Sequence, residues 1–240
     1  MEGKVLGVIG GLGPLATAHF LELTTRMTDA KAEQQNLDMI VYNFPSIPDR
    51  TGYILGSNLK SPLPGLLWAG RNLDRQGVDH IAIPCVTAHF FYEELQYAIR
   101  TPIIHGVRET ARYLKEQGVS SAGILATDGT VFSGLFSRAL SDAGIQSLIP
   151  SKQRQTDVME LIYEDIKKGK KPDMEKFHAV SEELRGKGAQ VLILGCTELS
   201  LIKKDFAIGP GYLDAMEVLA RESLIRCGKP VRQEYDNLIA

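Results

Sequence analysis

The stretch Gly77-Val78-Asp79-His80-Ile81-Ala82-Ile83-Pro84-Cys85 aligns without a gap against Gly188-Ala189-Gln190-Val191-Leu192-Ile193-Leu194-Gly195-Cys196. Each copy reads as a helix-ending glycine, a short apolar run of strand length, then a cysteine with a threonine within two residues. A second pair, Gly7-Val8-Ile9-Gly10-Gly11-Leu12-Gly13 and Gly123-Ile124-Leu125-Ala126-Thr127-Asp128-Gly129, stands 116 residues apart, close to the 111 that separate the cysteines. Strand, glycine, helix is a common phrase in α/β chains, so the matching cysteines are what make the repeat informative. It predicts two lobes of similar plan.

Outward from these segments, short runs rich in Val and Ile alternate with longer amphipathic stretches, the pattern of buried parallel strands joined by crossover helices. Strands are expected near 4–9, 37–43, 79–84, 121–126 and 189–194. Helices are expected near 14–31, 63–76, 88–99, 106–117, 131–143, 154–168, 173–187 and 211–227. Pro14 suits a first helical turn, where its missing N–H has no intrahelical partner to lose. The fold class is α/β: two similar lobes with parallel sheets, related by a pseudo-twofold, and a site in the cleft between them. Breakers at Thr101-Pro102 and Gly209-Pro210-Gly211 divide the chain into 1–102 with 208–240, the last helix returning to the first lobe, and 103–207.

With 240 residues, 44% of them hydrophobic, the chain can bury real cores. The 27 Lys+Arg against 29 Asp+Glu leave a formal charge of -2, so there is no basic field for nucleic acid and small-molecule chemistry is favoured. The opening residues meet glycine too early for a signal segment, and no run of about 18 apolar residues suits a membrane span. Cys85, Cys196 and Cys227 lack the spacing of a zinc site or a disulfide framework, which fits reduced thiols in a cytoplasm.

Ligands of parallel α/β sheets bind beyond the carboxyl ends of the strands, where Cys85 and Cys196 both fall. A thiol at the start of a helix meets unpaired N–H groups and the positive dipole end, which favour thiolate. A single such cysteine reads as easily as packing. Two at equivalent places, on lobes that face each other, form an opposed acid and base: one thiolate removes an α-proton while the other, as thiol, protonates the opposite face. Thr87, Thr127, Thr130 and Thr197, at strand–helix junctions, can supply hydroxyls to a carboxylate, or simply cap their helices. Arg50, in Pro48-Asp49-Arg50-Thr51, is either a bidentate carboxylate ligand or a solvated loop residue. The run Lys167-Lys168-Gly169-Lys170-Lys171 reads as a solvated helix end from which one lysine can turn inward.

Gly11-Leu12-Gly13-Pro14-Leu15-Ala16 formally satisfies GxGxxA, but the second strand, Met39-Ile40-Val41-Tyr42-Asn43-Phe44, offers no acidic residue to a ribose. Neither GxxxxGK[ST] nor HExxH occurs. Cys227 has no counterpart in the repeat and reads as packing.

Ile9-Gly10-Gly11-Leu12-Gly13-Pro14-Leu15-Ala16-Thr17, Pro48-Asp49-Arg50-Thr51, Pro84-Cys85-Val86-Thr87-Ala88-His89 and Gly195-Cys196-Thr197-Glu198-Leu199-Ser200 together resemble the aspartate/glutamate racemase family, in particular its aspartate-racemase-like branch. The resemblance implies flavodoxin-like lobes, a homodimer, no pyridoxal phosphate or metal, and Cys85 and Cys196 as the acid/base pair on a small acidic amino acid. It implies that Arg50 and Lys167 hold the substrate's side-chain carboxylate, and that Val86, Thr87, Ala88, Thr197 and Glu198 belong to the binding site. Gly10-Gly11 and Glu198 stand where glutamate racemases carry Asp-Ser-Gly and histidine, which favours the aspartate branch. Val86 stands where the family has asparagine, whose lost hydrogen bonds are worth about 1–3 kcal/mol. Two alternatives keep the fold: a maleate-isomerase-like enzyme with one nucleophilic cysteine, and a binding protein without turnover.

Overall fold

The computed structural model describes residues 3–239; Met1, Glu2 and Ala240, at the ends of the expected first lobe, lie outside the described residues. The strands are β1 (Val5–Gly10), β2 (Asp38–Asn43), β3 (His80–Ala82), β4 (Ser121–Leu125), β5 (Gln146–Leu148), β6 (Val191–Leu194) and β7 (Tyr212–Asp214). The α-helices are α1 (Pro14–Met27), α2 (Arg50–Ile54), α3 (Leu63–Arg75), α4 (Tyr92–Ala98), α5 (Gly106–Glu116), α6 (Asp128–Phe132), α7 (Leu135–Asp142), α8 (Lys152–Glu160), α9 (Met174–Gly186), α10 (Thr197–Asp205) and α11 (Ala215–Arg226). The strands form two parallel sheets, β2-β1-β3 and β5-β4-β6-β7. The fold is α/β, as the alternation of apolar runs and amphipathic stretches requires.

The repeat survives at the level of register. Gly7 of β1 pairs with Ile81 of β3, and Gly123 of β4 pairs with Leu192 of β6, so equivalent residues face each other in both sheets. Both glycines lie under a crossover helix. A Cβ on Gly7 would stand 3.1 Å from Leu73 of α3, and one on Gly123 would stand 3.1 Å from Leu184 of α9. The helices end on Gly77 and Gly188, with φ of 73° and 97°, a left-handed conformation that costs glycine nothing.

Side-chain alternation along the strands sorts the interior into three apolar layers. Ile9 and Ile81 face a layer under α3; Leu125, Leu192 and Leu194 face one under α8 and α9. Leu6 and Val8 of the first sheet share the third with Ala122, Ile124, Val191 and Ile193 of the second, together with residues of α1, α5, α7 and α11. This common layer fixes one sheet against the other. Helix α11 closes it, held to α5 by Arg226 on Glu109 at 2.6 Å and Arg112 on Glu222 at 2.8 Å.

Several elements differ from the sequence expectation for local reasons. Gly134, at φ 66°, splits the expected helix 131–143 into α6 and α7. The expected helix 88–99 begins as a 3-10 segment, Val86–Phe91, and 154–168 runs from α8 through a π turn, Leu161–Asp165. Asp214 delays α11, because it is the N-cap, accepting from Met216 N at 2.8 Å, while Tyr212–Asp214 is the strand β7 beside β6. The stretch from 208 is therefore shared: β7 extends the second sheet and α11 packs on α1 and α5. Neither β5, β7 nor α2 carries a readable period, being three to five residues long. Among the described residues no helix is long and apolar enough to cross a membrane.

Asp214 is fully buried, and burial first, then the nearby Glu217 charge, pushes its pKa up to about 7. Its folded pKa lies above the unfolded one, so its contribution is full below about pH 4 and is lost as the pH rises through about 7. Asp214→Asn keeps an N-cap oxygen and removes the titration. Urea unfolding at several pH values should show wild-type stability falling relative to this variant, by at most about 1.4 kcal/mol per pH unit, between about pH 4 and 7.

Candidate active site

Cys85 follows β3 by way of Ile83-Pro84. Its backbone N–H bonds to Ile83 O at 2.7 Å, and Val86 begins the 3-10 segment after it. Cys196 follows β6 by one residue and is the N-cap of α10. That residue must be glycine, since a Cβ on Gly195 would lie 2.6 Å from the Phe136 ring. Both cysteines are free and buried, and they line one small cavity between the lobes.

The same cavity is lined by Arg50, Val86, Thr87, Thr127, Lys167, Thr197 and Glu198, with Leu12, Asp49, Thr51 and Tyr163. Its volume is about 260 Å³. A wider outer cleft, lined also by Pro14, Leu15, Pro45 and Leu201, shares Leu12, Asp49, Arg50, Lys167 and Glu198 with it. Ala88 is fully buried in the apolar layer under α3 and does not reach the cavity, and Thr130 reaches it only through its neighbours.

Thr87 Oγ1 lies 3.1 Å from Thr127 Oγ1 and 3.0 Å from Thr130 Oγ1, which are themselves 3.1 Å apart. This triangle joins the loop after Cys85 to the N-terminus of α6, on the other sheet. Thr127 also caps α6, accepting from Thr130 N at 3.3 Å, so capping and cavity-lining are compatible roles. A second link across the cleft runs through Asp49, which accepts from Tyr163 OH at 3.1 Å and lies 3.8 Å from Lys167 Nζ.

Arg50 is 7% exposed, and its guanidinium donates to the carbonyls of Leu12, Ile47 and Pro48, while Nε has no partner. Burial opposes its charge, but the Cys85 sulfur and the Asp49 carboxylate hold its pKa above the ordinary arginine value. Burial likewise opposes the Lys167 charge, and Glu198, Cys196, Tyr163 and Asp49 raise its pKa above the usual lysine range. Tyr163, against which the Lys167 ammonium packs at 3.8 Å from the ring centre, is pushed up to about 12, mainly by burial.

Cys196 departs from the sequence expectation that a helix N-terminus favours its thiolate. Burial, then the Glu198 charge, raises its pKa well above the ordinary thiol value, against the smaller pull of Lys167. Its Sγ donates to Glu198 Oε2 at 2.9 Å, a bond that only the protonated sulfur can make. Position at a strand end did not decide its protonation, because burial, and then a carboxylate two residues on, outweigh the dipole of a nine-residue helix.

Asp49, Thr51 and Tyr163 escaped the sequence reading. Asp49 and Thr51 flank Arg50 on one turn, and Tyr163 lies four residues before Lys167, the spacing that shares a helical face.

The chain matches the Asp/Glu/Hydantoin racemase profile over residues 9–223. It is 25% identical, over 92% of its length and 96% of the relative's, to the broad specificity amino-acid racemase RacX of Bacillus subtilis. Its fold superposes on that of an aspartate racemase from Picrophilus torridus with a TM-score of 0.86 and 32% identity, covering 97% of this chain and 98% of the other. A glutamate racemase from Francisella tularensis, in complex with D-glutamate, shares the fold at 17% identity and a TM-score of 0.67, covering 94% of this chain and 81% of that one. The chain belongs to the Asp/Glu/Hydantoin racemase family and is an amino-acid racemase, an isomerase.

Proposed function

We propose that the protein racemises a small acidic amino acid, aspartate first, without a cofactor, by passing protons between Cys85, Cys196 and the two faces of Cα. The observation that carries this reading is that cysteines from equivalent strand ends of two sheets line one cavity with Arg50 and Lys167. Arg50 and Lys167 supply the positive charge that a dicarboxylic substrate requires.

In one direction Cys85, as thiolate beside the Arg50 cation, removes the α-proton, and the Cys196 thiol donates its own proton to the opposite face. Turnover leaves Cys85 as thiol and Cys196 as thiolate, with Lys167 as the nearby cation, and the other enantiomer reverses the transfer. The α-proton is much less acidic than a thiol, so the carbanion needs donors at its carboxylate; Thr87, Thr127 and Thr197 line the cavity and can turn a hydroxyl to it, with Thr130 behind them as the partner that Thr87 and Thr127 exchange bonds with. Glu198 keeps Cys196 protonated until the α-proton has left. Val86 provides apolar surface and no hydrogen bond where the family's asparagine would provide an amide.

L-Aspartate in D2O, with no added cofactor, should yield D-aspartate carrying deuterium at Cα, read by chiral chromatography and mass spectrometry. Cys85→Ser and Cys196→Ser should each lower kcat at least about a thousandfold, because serine is too weak an acid to replace a thiol here; full activity in either variant ends the two-thiol assignment. Val86→Asn should raise kcat/KM for aspartate about tenfold, a gain of about 1.4 kcal/mol. An unchanged or lower value would show that the cavity already satisfies the substrate's polar groups by other means.

A further inference from the structure

The imidazole of His89, four residues after Cys85, is 3% exposed and borders the back of the loop that carries that cysteine. Nδ1 lies 3.1 Å from Cys85 O, and Nε2 lies 3.1 Å from Gly106 N, the first residue of α5. A carbonyl needs a donor and a backbone N–H needs an acceptor, so only the neutral form with its proton on Nδ1 satisfies both. Ile104 O, 3.4 Å from Nε2, competes for the opposite tautomer, but that form would leave Cys85 O without its imidazole donor and set N–H against N–H at Gly106.

The surroundings enforce neutrality. Burial lowers the pKa of His89, and the start of α5 presents the positive end of a helix dipole to it. His105, 5.2 Å away between ring centres, is also held neutral: it accepts from Arg108 N, and burial above all brings its pKa down to about 3. Two neutral imidazoles thus cap one helix.

We infer that His89 is a positioning residue for Cys85, fixing the cysteine backbone through its Nδ1–H and taking its own orientation from the first N–H of α5. The inference rests on the two-thiol reading above, in which the Cys85 sulfur must meet one face of Cα. Cys85 O also accepts from Ala88 N at 3.2 Å, and Thr87, between the two residues, enters the hydroxyl triangle; His89 is the link that reaches from this loop to α5. A shift of about 1 Å at a reacting atom is enough to cost orders of magnitude in rate.

The two nitrogens can be separated by substitution. His89→Asn places an amide donor near the Nδ1 position, and His89→Gln places its polar atoms near Nε2. His89→Asn should keep kcat within about fivefold, while His89→Gln should lower it at least about tenfold with KM within about threefold, although both lose thermal stability. The pH profile of iodoacetamide alkylation at Cys85, read by peptide mass mapping, should be displaced in His89→Gln and match wild type in His89→Asn. Equal kcat losses that follow the melting temperature, or an undisplaced alkylation profile, would overturn the inference. Alkylation does not need turnover, so wild type that racemises no amino acid would end the racemase substrate assignment while leaving this one decidable. Should the variants not fold, 15N NMR of the wild-type imidazole decides: Nδ1 protonated and Nε2 bare from about pH 5 to 8 is expected, and the opposite tautomer refutes the assignment.

Discussion

The two cysteines can meet across one cavity because two parallel sheets are fixed against a single apolar layer. Leu6 and Val8 on one side, and Ala122, Ile124, Val191 and Ile193 on the other, share their packing with α1, α5, α7 and α11. Interiors are close-packed, so this contact sets the relation of the sheets to within the tolerance of side-chain rotamers. Strand ends inherit that relation. Cys85 and Cys196 lie three and two residues beyond β3 and β6, each on a short tether with its backbone bonded, and the central layer therefore positions both sulfurs at one cavity.

Polar links then close the seam that the apolar layer creates. The hydroxyls of Thr87, Thr127 and Thr130 satisfy one another, which lets three buried polar groups sit between the lobes without an unmet donor. Asp49, Tyr163 and Lys167 form the second link at the mouth. These contacts are few and polar, while the layer behind them is broad and apolar.

Repetition does not make the two halves electrically alike. Cys85 neighbours a guanidinium, and Cys196 neighbours a carboxylate to which its thiol donates. The two cysteines therefore have electrically different partners.

Some of this was legible in the residues. The gapless match from Gly77 and Gly188 to the cysteines carried the repeat, and its register is conserved down to the pairing of Gly7 with Ile81 and Gly123 with Leu192. Apolar period and turn glycines are local properties, which is why strand positions, the parallel α/β class and the strand-end cysteines could be read directly. Ala88 looked like part of the site from its place in the motif, yet its side chain faces the apolar layer under α3.

Tertiary structure decided what depends on distance rather than order. That Tyr163 and Asp49 touch, 114 positions apart, that Arg50 is buried with an unpartnered Nε, and that burial pushes the Cys196 thiol up are outcomes of packing and desolvation. A sequence specifies which groups exist and which face of an element they share. Protonation and cavity shape arise from what surrounds each group in space, because burial and Coulomb interactions act between residues that the chain order leaves far apart.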